Sequence, residues 1–107
     1  MTFDDLHDAV LESVELNFAA GRLRLTVRPV QWPGAPSTVH IIAHEWSQFV
    51  CPREEPWGAS VSVNSCDGPV PIEGGGFRIT VALQSGDSLE ITAKRIELIE
   101  TGAQRET

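Results

Sequence analysis

Two stretches of this chain alternate apolar and polar residues so regularly that each reads as a β-hairpin. Residues 12–29 run ESVELNFAAGRLRLTVRP, and residues 77–98 run FRITVALQSGDSLEITAKRIEL. In the first, the apolar places are Val14, Leu16, Phe18, Leu23, Leu25 and Val27; in the second they are Phe77, Ile79, Val81, Leu83, Leu89 and Ile91. A period of two places them all on one face of a ribbon, leaving the other face to water. That constraint gives an all-β, or β-rich α+β, fold and removes most of these residues from the search for function.

The first hairpin also suggests a register. Pairing Phe18 with Leu23 sets Leu16 against Leu25 and Val14 against Val27, so every apolar residue meets another. The loop is then Ala20-Gly21, with Gly21 supplying a positive φ; a four-residue loop of the same register is the alternative. Burying all six apolar side chains would contribute roughly 9–18 kcal/mol before chain entropy is subtracted. In the second hairpin, pairing Leu83 with Leu89 centres the turn on Gly86 and demands an odd loop of three or five residues. Beyond Ile91 the apolar phase slides to Ile96 and Leu98, which marks Lys94-Arg95 as a bulge or kink.

Between the hairpins the pattern is weaker. Thr2 and Asp5 have the spacing of a capping box around one helical turn. Residues 31–36 (QWPGAP) form a loop by their Pro and Gly. Residues 38–43 and 48–51 read as strands, although Val39, Ile42, Ala43, Trp46, Phe49 and Val50 also fit a helical spacing. Residues 58–66 alternate as a strand, residues 52–56 form a loop, and the Pro- and Gly-rich residues 67–76 read as a surface connection. About six strands result, arranged as an antiparallel β-sandwich or an open barrel with the two hairpins as its main units. Residues 1–107 form a single domain by length, and 101–107 a frayed polar tail.

Bulk composition excludes several classes. A net charge of −7, from 15 acidic and 8 basic residues, repels phosphate backbones and anionic membranes, so neither is an expected partner. It suits a soluble protein or one with a basic protein partner. Arg22, Arg24 and Arg28 form a small basic exception within this acidic chain. No apolar run approaches the ~20 residues that span a bilayer, and the acidic start MTFDDLHDAV is unlike a secretory signal. The expected location is the cytoplasm, where Cys51 and Cys66 are small apolar residues rather than a disulfide, although fourteen intervening residues could close one.

Signatures of chemistry mostly fail on geometry. His40 and His44 would share a face of a helix and could hold a metal there, but on a strand they lie ~13 Å apart. Three consecutive glycines, Gly74 to Gly76, lack the spacing and the following helix of a phosphate cradle. No cofactor or metal is implied. His7-Asp8 pairs an imidazole with a carboxylate, but neighbours on an extended chain point opposite ways, so adjacency alone makes no dyad. The segment PREEPWGAS carries Arg53 and Trp57, residue types common at binding hot spots. Trp57 reads either as a plug over the open end of the core or as a contact patch with Arg53.

A resemblance adds to this reading. Leu6-His7-Asp8-Ala9-x-Leu11-x-Ser13-Val14 resembles the opening of small bacterial β-rich proteins of unknown function. Pro52-Arg53-x-x-Pro56-Trp57-Gly58-x-Ser60, Val63-Asn64 and Leu83-Gln84-Ser85-Gly86-Asp87 resemble later stretches of the same group. Some of those relatives are similar to immunity proteins of bacterial toxin systems. The resemblance implies a bacterial origin and a compact β fold, and it transfers no catalytic residue. The binding candidates are therefore His7, Asp8, Arg53, Trp57, Ser60 and Asn64. The leading expectation is a non-enzymatic protein-binding module, immunity-like in kind. A small-ligand binder or enzyme using His7 and Asp8 is the first alternative, and a structural homodimer the second.

Overall fold

The computed structural model of the protein describes residues 2–52 and 62–101. A short 3-10 turn, Phe3–Leu6, precedes six strands: β1 (Val10–Asn17), β2 (Arg22–Arg28), β3 (Thr38–Val50), β4 (Val63–Pro71), β5 (Phe77–Leu83) and β6 (Ser88–Thr101). They form one antiparallel sheet in the order β1-β2-β3-β6-β5-β4. Of the two expected architectures, the single curled sheet holds: it is not closed into a barrel, but its two outer strands approach at one corner, where Val10 pairs with Ser62. Among the described residues no helix is long and apolar enough to cross a membrane.

The core fills the inside of the curl. Leu23, Leu25 and Val27 of β2 meet Val39, Ile41 and Ala43 of β3, and Ile79, Val81 and Leu83 of β5 meet Leu89, Ile91 and Ala93 of β6. Leu6 and Ala9, delivered by the entering turn, close one end. The turn has the capping the sequence indicates: the Thr2 N–H donates to Asp5 Oδ2 at 2.7 Å and the Thr2 hydroxyl reaches the same oxygen at 3.2 Å.

The first hairpin pairs two residues out of the expected register. Leu16 faces Leu23, Val14 faces Leu25 and Glu15 faces Arg24, so the loop is residues 18–21. A shift of two keeps every side chain on its face, so alternation cannot detect it. Local turn chemistry decides instead. Asn17 Oδ1 accepts the Ala20 N–H at 3.0 Å, and the Gly21 N–H donates to Phe18 O at 3.2 Å, closing a turn that never asks Ala20 for a positive φ. Gly21, at φ 64, then offers its carbonyl to Glu45 N–H at 2.7 Å, docking the turn onto a kink in β3. The consequence is large: Phe18 leaves the ladder and stands 79% exposed, and Leu16 is 44% exposed. Only Leu23, Leu25 and Val27 of the six are fully buried. The expected burial is roughly halved, to about 5–9 kcal/mol gross.

The second hairpin keeps the odd loop but shifts its pairs. Val81 faces Leu89 and Ile79 faces Ile91, while Leu83 faces Val63 of β4 rather than Leu89. The Leu83 N–H donates to Asp87 O at 2.9 Å and the Gly86 N–H to Leu83 O at 3.0 Å. The phase change at Lys94-Arg95 is present: both are exposed, and burial passes from Ala93 to Ile96 and Leu98. Residues 38–43 and 48–51, read as two strands, merge into the continuous β3, with a register shift between Trp46 and Gln48. The helical alternative for this stretch is thus overturned.

One expectation fails outright. Residues 67–76 are not all connection, because β4 continues through Gly68 and Pro69 to Pro71, and only the following turn leaves the sheet. The register slips between Asp67 and Val70, and β4 lies at the edge, so its prolines deprive no further strand of a donor. Residues 58–61, with most of the 52–56 loop and the 102–107 tail, lie outside the described residues.

Candidate functional site

His7, Asp8 and Asn64 come together at the corner where the sheet edges meet. The chain leaves the 3-10 turn at His7 and reverses at Asp8, whose φ of 66 is a left-handed value that Asp tolerates better than most residues. This local break corrects the expectation of opposite-pointing neighbours: His7 Nε2 lies 3.5 Å from Asp8 Oδ2. The backbone here stitches the edges together. The Asp8 N–H donates to Val63 O at 2.8 Å, and the Val63 N–H donates to Ala9 O at 2.7 Å.

The side chains continue the same stitch. His7 Nδ1 lies 2.6 Å from Asn64 O, and because a carbonyl only accepts, that nitrogen carries the proton. Asn64 therefore contributes through its backbone. Gln84, which no sequence signal marked as a site residue, donates from Nε2 to Asp8 Oδ1 at 2.6 Å. Its own N–H donates to Ser62 O at 2.8 Å. A working His–Asp dyad has the carboxylate on one ring nitrogen and leaves the other for substrate. Here a main-chain carbonyl holds Nδ1, and Asp8 stands in front of Nε2. The residues expected to carry chemistry are joined into a clasp between the two edges. Arg53, Trp57 and Ser60 lie outside the described residues.

The other histidines sit on the outer face of β3, as strand geometry requires. His40 Nδ1 is 3.2 Å from Thr26 Oγ1, and His44 Nε2 contacts Glu97 of β6. Each has its own neighbour on a different strand, and among the described residues no three His, Cys, Asp or Glu side chains gather as a metal site would require. Cys51 is exposed and Cys66 buried, with no disulfide between them. Burial, followed by the nearby Asp67 charge, pushes the Cys66 thiol up to about 12, so it remains a protonated packing residue.

A second locale emerges at the opposite end of β1, which the composition hinted at only through its run of arginines. A hollow of about 500 Å³ lies at the β1–β2 turn, lined by Glu15, Asn17, Arg22, Arg24 and Ile42, with Leu16 and Phe18 on its rim. The register explains the assembly: Glu15 faces Arg24, which faces Ile42, and Asn17 faces Arg22, all on the side away from the core. Phe18 packs edge-on against Trp46, ring centroids 5.4 Å apart, which holds an exposed aromatic in a fixed position. Comparisons with protein-family models, with curated proteins and with solved structures return no match.

Proposed function

We propose that this protein is a non-enzymatic binding module that docks on another protein, immunity-like in kind, through the end of its β1–β2 hairpin. The observation that carries the reading is the exposure of Phe18, the most exposed large apolar residue among those described, together with Leu16, beside the hollow at the end of the hairpin that includes edge strand β1. An aromatic held by a neighbouring ring next to a concave polar patch is the kind of anchor that interface hot spots use. The net charge of −7 adds long-range attraction toward a partner that is basic over most of its surface.

The test is co-purification from the native cytoplasm with wild-type protein and with the double variant Leu16→Lys, Phe18→Glu. The expected result is a stoichiometric partner, identified by mass spectrometry and re-bound as purified protein, that the double variant loses while its fold is kept. A partner retained equally by both, or none with either, contradicts the proposal. The enzyme or small-ligand reading draws on the 3.5 Å approach of His7 to Asp8 in an exposed position, with side chains 62% and 56% accessible. It requires that His7→Ala abolish a measurable turnover or ligand response without lowering stability.

A further inference from the structure

Among the described residues, Arg22, Arg78 and Lys94 have no ion-pair partner, and of these Arg22 borders the hollow, whereas the remaining arginines are matched to carboxylates. Arg24 pairs with Glu15 across the hairpin, Arg28 Nη1 lies 3.4 Å from Glu12 Oε2, and Arg95 Nη1 lies 3.8 Å from Glu97 Oε2, which also contacts His44. Arg22, the β2 arginine nearest the turn, has no ion-pair partner among the described residues, although it lines the hollow. Arg24 is under-satisfied as well: its Nε–H is buried with no acceptor, while its guanidinium tip turns to Glu15. A buried donor without an acceptor is costly in a low-dielectric setting. Ile42, Leu16 and Phe18 line the same hollow and offer apolar contact beside these donors.

From this we infer that the hollow is an anchor site for a carboxylate on an apolar neighbour, namely an acidic side chain beside an aromatic or aliphatic residue in the docking partner. This rests on the docking reading above and specifies its chemistry. Arg22 presents two parallel N–H groups of the kind that hold a carboxylate bidentately. Asn17, whose Oδ1 is engaged by the turn, has its amide nitrogen left for a second donor. Arg24 can share its charge once an incoming carboxylate competes with Glu15. The acidic surface as a whole then governs approach, and this short-range cationic notch fixes register, a division of roles in which a partner basic in general carries one acid at its contact point.

The probes are acetyl-Phe-Glu-amide, acetyl-Phe-Gln-amide and free phenylacetate, titrated into the full chain and followed by backbone amide shifts in NMR. The Glu peptide is expected to move the amides of Asn17, Arg22 and Ile42, and to bind about tenfold more tightly than the Gln peptide, as one charge-assisted bond dictates. Arg22→Gln is expected to remove that discrimination, whereas Glu15→Gln, which releases Arg24, is expected to strengthen Glu-peptide binding. Equal binding of the two peptides, shifts confined elsewhere, or weaker binding by Glu15→Gln overturns the inference. Phenylacetate binding more tightly than the Glu peptide also overturns it, in favour of a free organic acid as ligand. Failure here is distinct from failure of the docking proposal: a partner lost by Leu16→Lys, Phe18→Glu but kept at full affinity by Arg22→Gln leaves docking intact and removes the carboxylate anchor.

Discussion

The two ends of β1 put similar residue types to opposite uses. At its start, polar side chains are consumed: His7 on a carbonyl of β4, Asp8 on Gln84, and the intervening amides on Val63 and Ala9. At its finish, apolar side chains are released: Leu16 and Phe18 stand outside the core that their alternation promised. The conspicuous polar pair thus bridges the sheet edges, and the conspicuous apolar pair is left exposed at the hairpin end, where the docking proposal places its contact. A sheet that does not close must be held somewhere, and these polar residues hold it where its edges cross.

The contrast is sharpest between two leucines of one hairpin. Leu25 is fully buried, so Leu25→Ala is expected to lower unfolding free energy by about 2–5 kcal/mol in denaturant titration. Leu16→Ala at the released end is expected to cost about 1 kcal/mol or less. Equal losses would mean that Leu16 belongs to the core after all. The clasp comes next: the double variant His7→Ala, Gln84→Ala removes two exposed hydrogen bonds and is expected to cost about 1–3 kcal/mol. No loss of stability would return these residues to the pool of functional candidates.

The smallest effect is electrostatic and lies in the turn that leads into the clasp. The Thr2 N–H bonded to Asp5, helped by the Thr2 hydroxyl, holds the Asp5 carboxyl below the usual carboxylate range. A lowered folded value means that Asp5 stabilises fully above about pH 4 and that this contribution fades as pH falls through its folded value. Asp5→Asn is expected to lower the melting temperature slightly near neutrality and to converge on the wild-type value as pH falls below that range, which makes its acid limb shallower. An unaltered acid limb would remove the capping interaction from the account.

What the sequence reveals here depends on whether one face or one partner decides the question. The strands of the two hairpins, the odd loop near Gly86 and the phase change at Lys94-Arg95 follow from which face each side chain must occupy, and all are legible. The register of the first hairpin is not, because a two-residue slip preserves the faces and the decision passes to Asn17 capping Ala20. The run of β4 through Gly68 and Pro69 is hidden for a similar reason: those residues usually end strands, and only an edge position permits them. His7, Asp8 and Asn64 were each legible as candidates, but neither their meeting nor their role was, since His7 binds a main-chain carbonyl fifty-seven residues away that has no side-chain signature. The hollow needed Ile42 from a third strand, so the only trace of it in the sequence was the cluster Arg22, Arg24 and Arg28.

Native-state hydrogen exchange tests the division between the two ends most directly. The Asp8 and Val63 amides, bonded across the clasp at 2.8 Å and 2.7 Å, are expected to exchange only through global unfolding and to share its free energy. The Gly21 amide, bonded at 3.2 Å within the exposed turn, is expected to exchange through local opening, at least a hundredfold faster in order-of-magnitude terms. Clasp amides that exchange as fast as Gly21 would contradict the claim that His7 and Asp8 serve to hold the sheet together.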